Sequence, residues 1–345
     1  MARLKVGIIG AGGIARHRHL PGLAALAGVE IAVVCNRTRA TAEQVAAEYG
    51  IPRVVTDWHE VIAMPDVAAV VIAATPYLHC PATCEALAAG KHVLCQARMA
   101  MNVSEARQML AASRAAPGLV AVLVPGPMAL PAEPYLQRLL REGTLGQPYL
   151  IRVQALGSAY ADPAAPLHWR QMPEVSGLNT LTVGIYNEII QRWFGDTLSV
   201  TAAATTSIPQ RVDPGSGAPR AVEIPDTLTI AARMANGAQA VYEFSEVARH
   251  APGQRIEMYG SDGVLVWDVN EQQLYGARSG DAGLQVMPIP DNMRGAWRVE
   301  ADFVAGVLEG KPVWPTFEDG VKYMTFTEAA RQSAATGRTV TLAAL

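Results

Sequence analysis

The sequence predicts two domains of different class: an N-terminal α/β domain with a parallel sheet, and a C-terminal domain with a mostly antiparallel open sheet. The length of 345 residues exceeds what one hydrophobic core usually supports. Strand and helix patterns alternate through about residue 124, as in a parallel sheet covered on both faces. Beyond it, strand-like runs recur at short spacing. We expect domains over 1–124 and 125–345, divided at a proline-rich stretch.

In the first domain, short apolar runs predict strands and amphipathic runs predict helices. The near-continuous apolar character of 67–74 is typical of a strand buried on both faces. The predicted strands are 5–9, 30–35, 54–55, 67–74, 92–95 and 120–124, and the predicted helices are 40–49, 58–63, 80–89 and 104–115.

In the second domain, turns of the Asn-Gly, Asp-Gly and Gly-Ser type separate the strand-like runs, which favours antiparallel pairing. The predicted strands are 149–155, 198–206, 227–234, 238–244, 255–259 and 264–268, and the predicted helices are 134–142, 179–194, 296–308 and 318–335. The polar, Pro/Gly-rich segment 210–219 is predicted to be a mobile loop.

The first strand runs directly into closely spaced glycines. Gly10 permits a tight turn, and Gly12 lets the backbone approach a phosphate without a Cβ. Ala15 lets the following helix lie close to the strand, and Gly13 and Ile14 place free N–H groups at its start. The pattern is typical of a Rossmann dinucleotide-binding domain; the alternative is a purely structural turn.

The residues at the end of the second predicted strand indicate whether the cofactor is NAD or NADP. A carboxylate usually stands there to accept hydrogen bonds from the ribose 2′-OH of NAD. Here the chain has Asn36, Arg37 and Thr38, followed by Arg39, so a neutral amide and cations replace that carboxylate. This combination tolerates a 2′-phosphate and favours NADP over NAD. In the alternative, Asn36 bonds the 2′-OH and Arg37 lies over the adenine.

Composition narrows the class of partner. A formal net charge of −3 argues against a nucleic-acid or basic membrane surface. No apolar stretch approaches the ~20 residues needed to span a bilayer, and the first strand begins too early for a signal peptide. The four cysteines lack the companions of a zinc set, so we expect buried free thiols, no metal, and a cytoplasmic protein.

Further motifs follow in a fixed order, and they include Thr-Pro at 75–76 with His79, Gly-Lys-His-Val-Leu-Cys at 90–95, Glu-Gly-Thr-Leu-Gly at 142–146, Trp-Arg at 169–170, Gly-Ile-Tyr at 184–186 and Tyr-Gly-Ser-Asp-Gly at 259–263. With these motifs in this order, the sequence resembles the Gfo/Idh/MocA oxidoreductase family over nearly the whole chain. The resemblance implies hydride transfer between a nicotinamide cofactor and a carbon–oxygen centre of a sugar, polyol or related small molecule. It also implies cofactor contacts at Thr75, Pro76, His79 and Gln96.

The chain departs from the family at the reaction centre. The family usually reads Glu-Lys-Pro after the Gly-Lys-His-Val strand, and its lysine helps to polarise the substrate oxygen. Here the same place reads Gln96-Ala97-Arg98, so a methyl group replaces the lysine. Thr182 stands where the family has an aspartate. Tyr186 matches the glucose–fructose oxidoreductase and dihydrodiol dehydrogenase branches, which carry tyrosine instead of histidine.

These residues suggest a catalytic set. Tyr186 is predicted to be the general acid/base, and Arg98 to stabilise an oxyanion or hold an anionic substrate group. His168 is predicted to contact substrate. Alternatives stay open for each residue. In these, Tyr186 is a buried tyrosine with a satisfied hydroxyl, His79 is either a proton relay or a satisfied histidine at a helix start, and His168 is a proton relay.

Two classes of function follow from the sequence. The first is an NAD(P)-dependent dehydrogenase or reductase acting on a small molecule. The second is a catalytically silent nucleotide-binding sensor or scaffold, which the absent lysine and aspartate favour. The retained glycine turn, Tyr186 and Arg98 favour the enzyme.

An open sheet with helices on one face leaves the other face to be covered, so we expect a homodimer or homotetramer.

Overall fold

In the computed structural model, which describes residues 3–342, the first unit is built on a parallel sheet. Its strands are β1 (Leu4–Ile9), β2 (Val29–Cys35), β3 (Val54–Val55), β4 (Ala69–Ile72), β5 (His92–Cys95) and β6 (Ala121–Leu123). They are ordered β3-β2-β1-β4-β5-β6, and every neighbouring pair is parallel. The predicted α/β class is confirmed. The outermost residues of both predicted domains, 1–2 and 343–345, lie outside the described residues.

Helices pack against this sheet. A π-helix, Ala15–His19, leads into α1 (Leu20–Ala24), and α2 (Arg39–Tyr49), α3 (Trp58–Ala63), α4 (His79–Ala88) and α5 (Val103–Ala115) follow. Local side chains set their starts: Asp57 accepts from the His59 amide at α3, and Asn102 from the Glu105 amide at α5. The sheet core contains Cys35, Cys80 and Cys95. Cys84 is half-buried, and all four thiols are free.

A later segment returns to the first unit, which groups residues up to 125 with 298–324. The sequence predicts this segment as part of the second domain. It contains α9 (Val299–Glu309) and the beginning of α10 (Phe317–Thr336). Buried Glu300 on α9 bonds the ring of buried His19 at 2.6 Å, and Phe317 and Val321 enter the sheet core. These contacts explain the grouping.

The second unit comprises residues 126–297 and the chain from 325 onward. Its main sheet contains β7 (Pro148–Leu156), β8 (Thr197–Thr205), β11 (Thr227–Met234), β12 (Gln239–Ser245), β13 (Gln254–Gly260), β14 (Gly263–Asp268), β15 (Gln273–Arg278), β16 (Gln285–Val286) and β17 (Val340–Thr341). The order is β16-β15-β14-β13-β7-β12-β11-β8-β17. Among the strands that the structure describes in this sheet, only β7 and β12 pair in parallel, so the predicted, mostly antiparallel sheet is confirmed.

One prediction about this unit is wrong. Segment 210–219, expected to be a mobile loop, contains β9 (Gln210–Val212) and part of β10 (Pro219–Ala221), which pair as a hairpin. The Asp213 carboxylate accepts hydrogen bonds from the amides of Gly215 and Ser216, so the polar residues close a defined turn.

Among the described residues, the α-helices of the second unit are α6 (Glu133–Arg141), α7 (Pro173–Ser176), α8 (Val183–Phe194) and the part of α10 from 325 onward. Helix α8 carries Tyr186 and is anchored by a charge cluster. Glu188 is 4% exposed, and its oxygens accept from Arg192 at 3.1 and 3.3 Å and from the Gly126 amide at 3.2 Å. Arg192 also pairs with Glu133, whose carboxylate accepts from the Trp193 indole. Burial raises the pKa of Glu188.

Replacing Arg192 by Met should destabilise the protein strongly. It leaves buried Glu188 and largely buried Glu133 without their cation, a loss of about 3–5 kcal/mol in free energy of unfolding. Because the folded-state pKa of Glu188 is raised, its protonated form favours folding. The loss should therefore be smaller at acidic pH and grow as pH rises through that pKa. Urea unfolding at several pH values measures this.

The control is Arg138→Met, which removes an exposed pair with Glu142 on α6. It should change stability little, because exposed ion pairs contribute weakly. Equal losses for the two variants would contradict a structural role for the buried cluster.

Candidate active site

The glycine turn lies at the carboxyl end of β1, where the strand order reverses between β1 and β4. Such a reversal is where open α/β sheets bind ligands. Gly10 has φ +86°, and a Cβ there would lie 2.5 Å from the Cα and N of Ala74. Added Cβ atoms at Gly12 and Gly13 would meet nothing within 4 Å, and both residues are exposed. The turn is therefore closed towards β4 and open at Gly12 and Gly13.

The end of β2 is bonded to this turn. Asn36 accepts a hydrogen bond from the Ala11 amide through its side-chain oxygen, at 2.7 Å. This bond engages the oxygen that could accept from a ribose hydroxyl. The other end of the amide is a donor, which suits acceptor groups such as phosphate and ether oxygens.

Arginines follow both the glycine turn and the end of β2, and Arg16 and Arg39 are paired. Arg39 bonds Glu43 at 3.4 Å, and Arg16 pairs with Glu48. Exposed Arg37 has no ion pair among the residues 3–342 that the structure describes. Thr38 caps α2 through its hydroxyl. Arg37 is thus the cation left available for an anion next to Asn36.

The carboxyl ends of β4 and β5 contribute further candidate residues within the first unit. Thr75 and Pro76 begin a short 3₁₀ turn, and Thr75 is half-buried. The Gln96 side-chain oxygen is buried and has no hydrogen-bond partner within the described part of the chain. The peptide between Ala97 and Arg98 is cis, and the Arg98 side chain is buried.

His79 is the first residue of α4 and is 1% exposed. Its Nδ1 lies 2.9 Å from the Arg98 carbonyl oxygen, and its Nε2 lies 3.0 Å from the Ala74 carbonyl oxygen. Burial lowers the pKa of His79, and the two carbonyl contacts oppose this effect. Both ring nitrogens therefore face the protein backbone.

Tyr186 lies in the core of the second unit and is 0% exposed. Its hydroxyl donates to the Gln254 side-chain oxygen at 2.6 Å, and its ring packs 5.9 Å from that of Phe244. Burial raises the pKa of Tyr186. The hydroxyl therefore keeps its proton at neutral pH and is a poor base but a persistent donor.

His168 belongs to an aromatic cluster in the second unit. Its ring centroid lies 5.9 Å from that of Tyr160 and 5.5 Å from that of Trp169, and Arg170 stacks on Trp169 at 4.1 Å. The Arg170 amide donates to His168 Nδ1 at 3.2 Å, which leaves Nε2 as the protonated nitrogen. Burial and the Arg170 charge lower the pKa of His168, so the ring is neutral at pH 7.

Three residues important for these positions were missed by the sequence analysis. Tyr323 accepts from the Met99 amide at 2.6 Å, beside Arg98. Arg211 donates to the carbonyls of Tyr160, Asp162 and Ala165, and so fixes the segment before His168. Gln254 accepts from Tyr186. No local pattern marks such residues, because their partners are distant in sequence.

The first unit's residues fit a dinucleotide. Open backbone at Gly12 and Gly13 suits a pyrophosphate, and the donor end of Asn36 with Arg37 suits the ribose region. The unsatisfied oxygen of Gln96 suits an amide donor. The structure therefore brings the glycine turn, the end of β2 and the ends of β4 and β5 to one edge of one sheet.

Among residues 3–342, no helix has the length and apolar character of a membrane span.

Two family models match the chain. Residues 4–124 match the oxidoreductase family with an NAD-binding Rossmann fold, and residues 135–266 match the GFO/IDH/MocA C-terminal domain.

Individual relatives extend the match. An uncharacterized oxidoreductase of Synechocystis is 30% identical over 268 residues, covering 76% of this chain and 71% of the relative. Levoglucosan dehydrogenase of Pseudarthrobacter phenanthrenivorans is 26% identical over 343 residues, covering 88% and 87%. A solved structure of levoglucosan dehydrogenase in complex with NADH and L-sorbose superposes with a TM-score of 0.90 at 26% identity, covering all of both chains.

Proposed function

This chain belongs to the GFO/IDH/MocA oxidoreductase family, and from that premise we propose that it is an NAD(P)-dependent oxidoreductase. The reaction is hydride transfer between the nicotinamide of the cofactor and a carbon–oxygen centre of a sugar, polyol or related small molecule. Relatives named as levoglucosan and myo-inositol 2-dehydrogenases support this substrate class. One observation carries the proposal furthest: the exposed backbone at Gly12 and Gly13, at the reversal of strand order.

Binding is assigned to the first unit. Gly10, Gly12, Gly13, Ile14 and Ala15 form the phosphate-binding turn, with Asn36, Arg37 and Thr38 at the ribose. In the same proposal, Thr75, Pro76, His79 and Gln96 support the nicotinamide end. His79 acts there through the backbone, since its ring nitrogens face carbonyl oxygens.

We propose three catalytic assignments. Tyr186 supplies or removes the proton, and its raised pKa favours the donor role in carbonyl reduction. Arg98 stabilises negative charge on the substrate oxygen, since its guanidinium stays protonated. His168 contacts a substrate hydroxyl through its protonated Nε2.

Replacing Arg37 by Ala tests the preference for NADP. If Arg37 reads the 2′-phosphate, its removal should weaken NADPH binding by about 10- to 100-fold, since a charge-assisted contact to a charged group is worth about 1.5–3 kcal/mol. NADH affinity should change little. Titration by nicotinamide fluorescence measures both dissociation constants.

The matched control is Arg39→Ala, which removes a neighbouring arginine already paired with Glu43. It should leave the ratio of the two affinities close to that of the original protein. Equal losses of NADH and NADPH affinity in the Arg37 variant would contradict phosphate reading and favour NAD as the cofactor.

A specific observation favours a second candidate. Tyr186 is fully buried with its hydroxyl bonded to Gln254, and the family's lysine is absent. These features suit a catalytically silent nucleotide-binding sensor or scaffold. A panel of sugars and polyols with NAD⁺, NADP⁺ and their reduced forms separates the candidates. Cofactor-dependent turnover supports the enzyme, whereas tight cofactor binding without turnover across the panel supports the sensor.

We also propose that the protein is a homodimer or homotetramer formed through the open face of the main sheet. Strand β11 alternates buried and exposed residues, so one sheet face lies away from the core. That face presents small Ala231, whose partner Val241 separates it from an ionic row in which Arg152 pairs with both Glu243 and Glu257. A second copy related by a two-fold axis would match such a row. Sedimentation velocity tests this, and a purely monomeric species would contradict it.

A further inference from the structure

The peptide that joins Arg98 to Met99 is held on both sides. On one side, the Arg98 carbonyl oxygen lies 2.9 Å from His79 Nδ1. On the other, the Met99 amide donates to the Tyr323 hydroxyl at 2.6 Å. His79 and Tyr323 are 1% and 3% exposed, so water does not compete for either bond. A single peptide group therefore has both of its polar atoms bound by buried side chains.

The same histidine reaches the neighbouring strand end. His79 Nε2 lies 3.0 Å from the carbonyl oxygen of Ala74, which follows β4, while Arg98 follows β5. These strands are parallel neighbours in the sheet. The backbone of Ala74 in turn lies against Gly10, where a Cβ would approach to 2.5 Å. The ring thus lies between the segment that carries Arg98 and the strand end that packs on the glycine turn. A neutral imidazole carries one N–H, so only one of the two carbonyl oxygens accepts a hydrogen bond from it.

We propose that His79 is a positioning residue that sets the backbone of Arg98, and thereby directs its guanidinium, by donating from Nδ1 to the Arg98 carbonyl oxygen. This inference rests on the proposed function for the role of Arg98. Arg98 lies one residue after the place of the family's lysine, and its planar side chain needs a defined backbone direction to present its donors. A buried hydrogen bond to its own carbonyl supplies that direction.

Two variants of His79 separate the two ring contacts. In Asn, the amide nitrogen lies about where Nδ1 lies, so His79→Asn keeps a donor for Arg98. In Gln, the amide nitrogen lies about where Nε2 lies, so His79→Gln keeps only the contact with Ala74. Both replacements are polar and remove the ring, which makes each the control for the other.

We expect His79→Gln to lower kcat/KM by about 10- to 100-fold, as a displaced catalytic group does. His79→Asn should recover activity to within about 3-fold. In the Arg98→Ala background, His79→Gln should have no further effect, because the group that it positions is gone. Equal losses in the two His79 variants, or a full effect of His79→Gln without Arg98, would overturn the inference.

A readout without turnover keeps this test independent of the proposed function. Hydrogen–deuterium exchange of a peptide covering 96–101 should speed up in His79→Gln and stay near the original rate in His79→Asn. If the original protein turns over no substrate, the proposed function fails while the exchange rates still decide the positioning role. Unchanged exchange in both variants would overturn it.

Discussion

Replacing Tyr186 by Phe is expected to lower kcat by about 10²- to 10⁴-fold, the range typical of a lost general acid or base. The substitution removes one oxygen and its bond to Gln254, and leaves the ring in place among its buried neighbours. Cofactor affinity should stay within a few-fold, because Tyr186 belongs to the second unit and the glycine turn to the first. Steady-state kinetics with a nicotinamide fluorescence titration measure both quantities.

The matched control is Tyr242→Phe. Tyr242 is also fully buried in the same core, and its hydroxyl accepts a hydrogen bond from Asn187 at 3.4 Å. This variant should lose a similar amount of stability and keep its turnover. Unchanged kcat in Tyr186→Phe would remove Tyr186 from the mechanism and favour the alternative of a structural buried tyrosine.

The raised pKa of Tyr186 also predicts a direction for the pH dependence. As an acid, the phenol is in its active, protonated form across the neutral range, so carbonyl reduction should be insensitive to pH there. As a base it must first lose its proton, so alcohol oxidation should accelerate as pH rises towards the pKa. Opposite slopes would contradict the assignment.

The second large effect is expected from Arg98→Ala, which should lower kcat/KM by about 10²- to 10³-fold, as the loss of an oxyanion-stabilising donor does. Arg98→Lys should recover part of this loss, because it keeps the charge but not the planar donor set. Thermal unfolding of both variants shows whether the fold persists, since the Arg98 side chain is buried.

A suitable control is Arg107→Ala on α5, an exposed arginine of the same unit. It should leave kcat/KM unchanged. If Arg98→Ala retains full activity on every substrate that the protein accepts, charge stabilisation by Arg98 is excluded. A loss confined to KM would instead indicate that Arg98 binds an anionic group of the substrate.

Much of the fold follows from local sequence. Apolar runs such as that around β4 and the glycine turn after β1 are short-range signals, and the structure places them as predicted. The return of 298–324 to the first unit has no such signal, because it depends on contacts like that between His19 and Glu300, 281 residues apart. The hairpin at 210–221 was missed because its polar residues favour a loop and a tight turn equally well.

Some features of the candidate site could also be predicted from the sequence, and others could not. Gly10, Gly12 and Asn36 could be found from spacing, because the turn and the strand end have a fixed relation in this fold. The hydrogen bond between the Asn36 side-chain oxygen and the Ala11 amide could not be found in this way, since spacing does not give the direction of a side chain. The bond of Tyr186 to Gln254 spans 68 residues, and the environment that raises its pKa exists only after folding.

Hydride transfer itself is the central claim, and isotope transfer tests it most directly. The protein is incubated with NAD⁺ or NADP⁺ and sugars or polyols that carry deuterium on the carbon to be oxidised. The reduced cofactor is then analysed by mass spectrometry. We expect deuterium on the nicotinamide ring for at least one substrate, and loss of this transfer in Tyr186→Phe. Saturating cofactor binding with no deuterium transfer from any substrate would contradict it and identify a nucleotide-binding protein without catalysis.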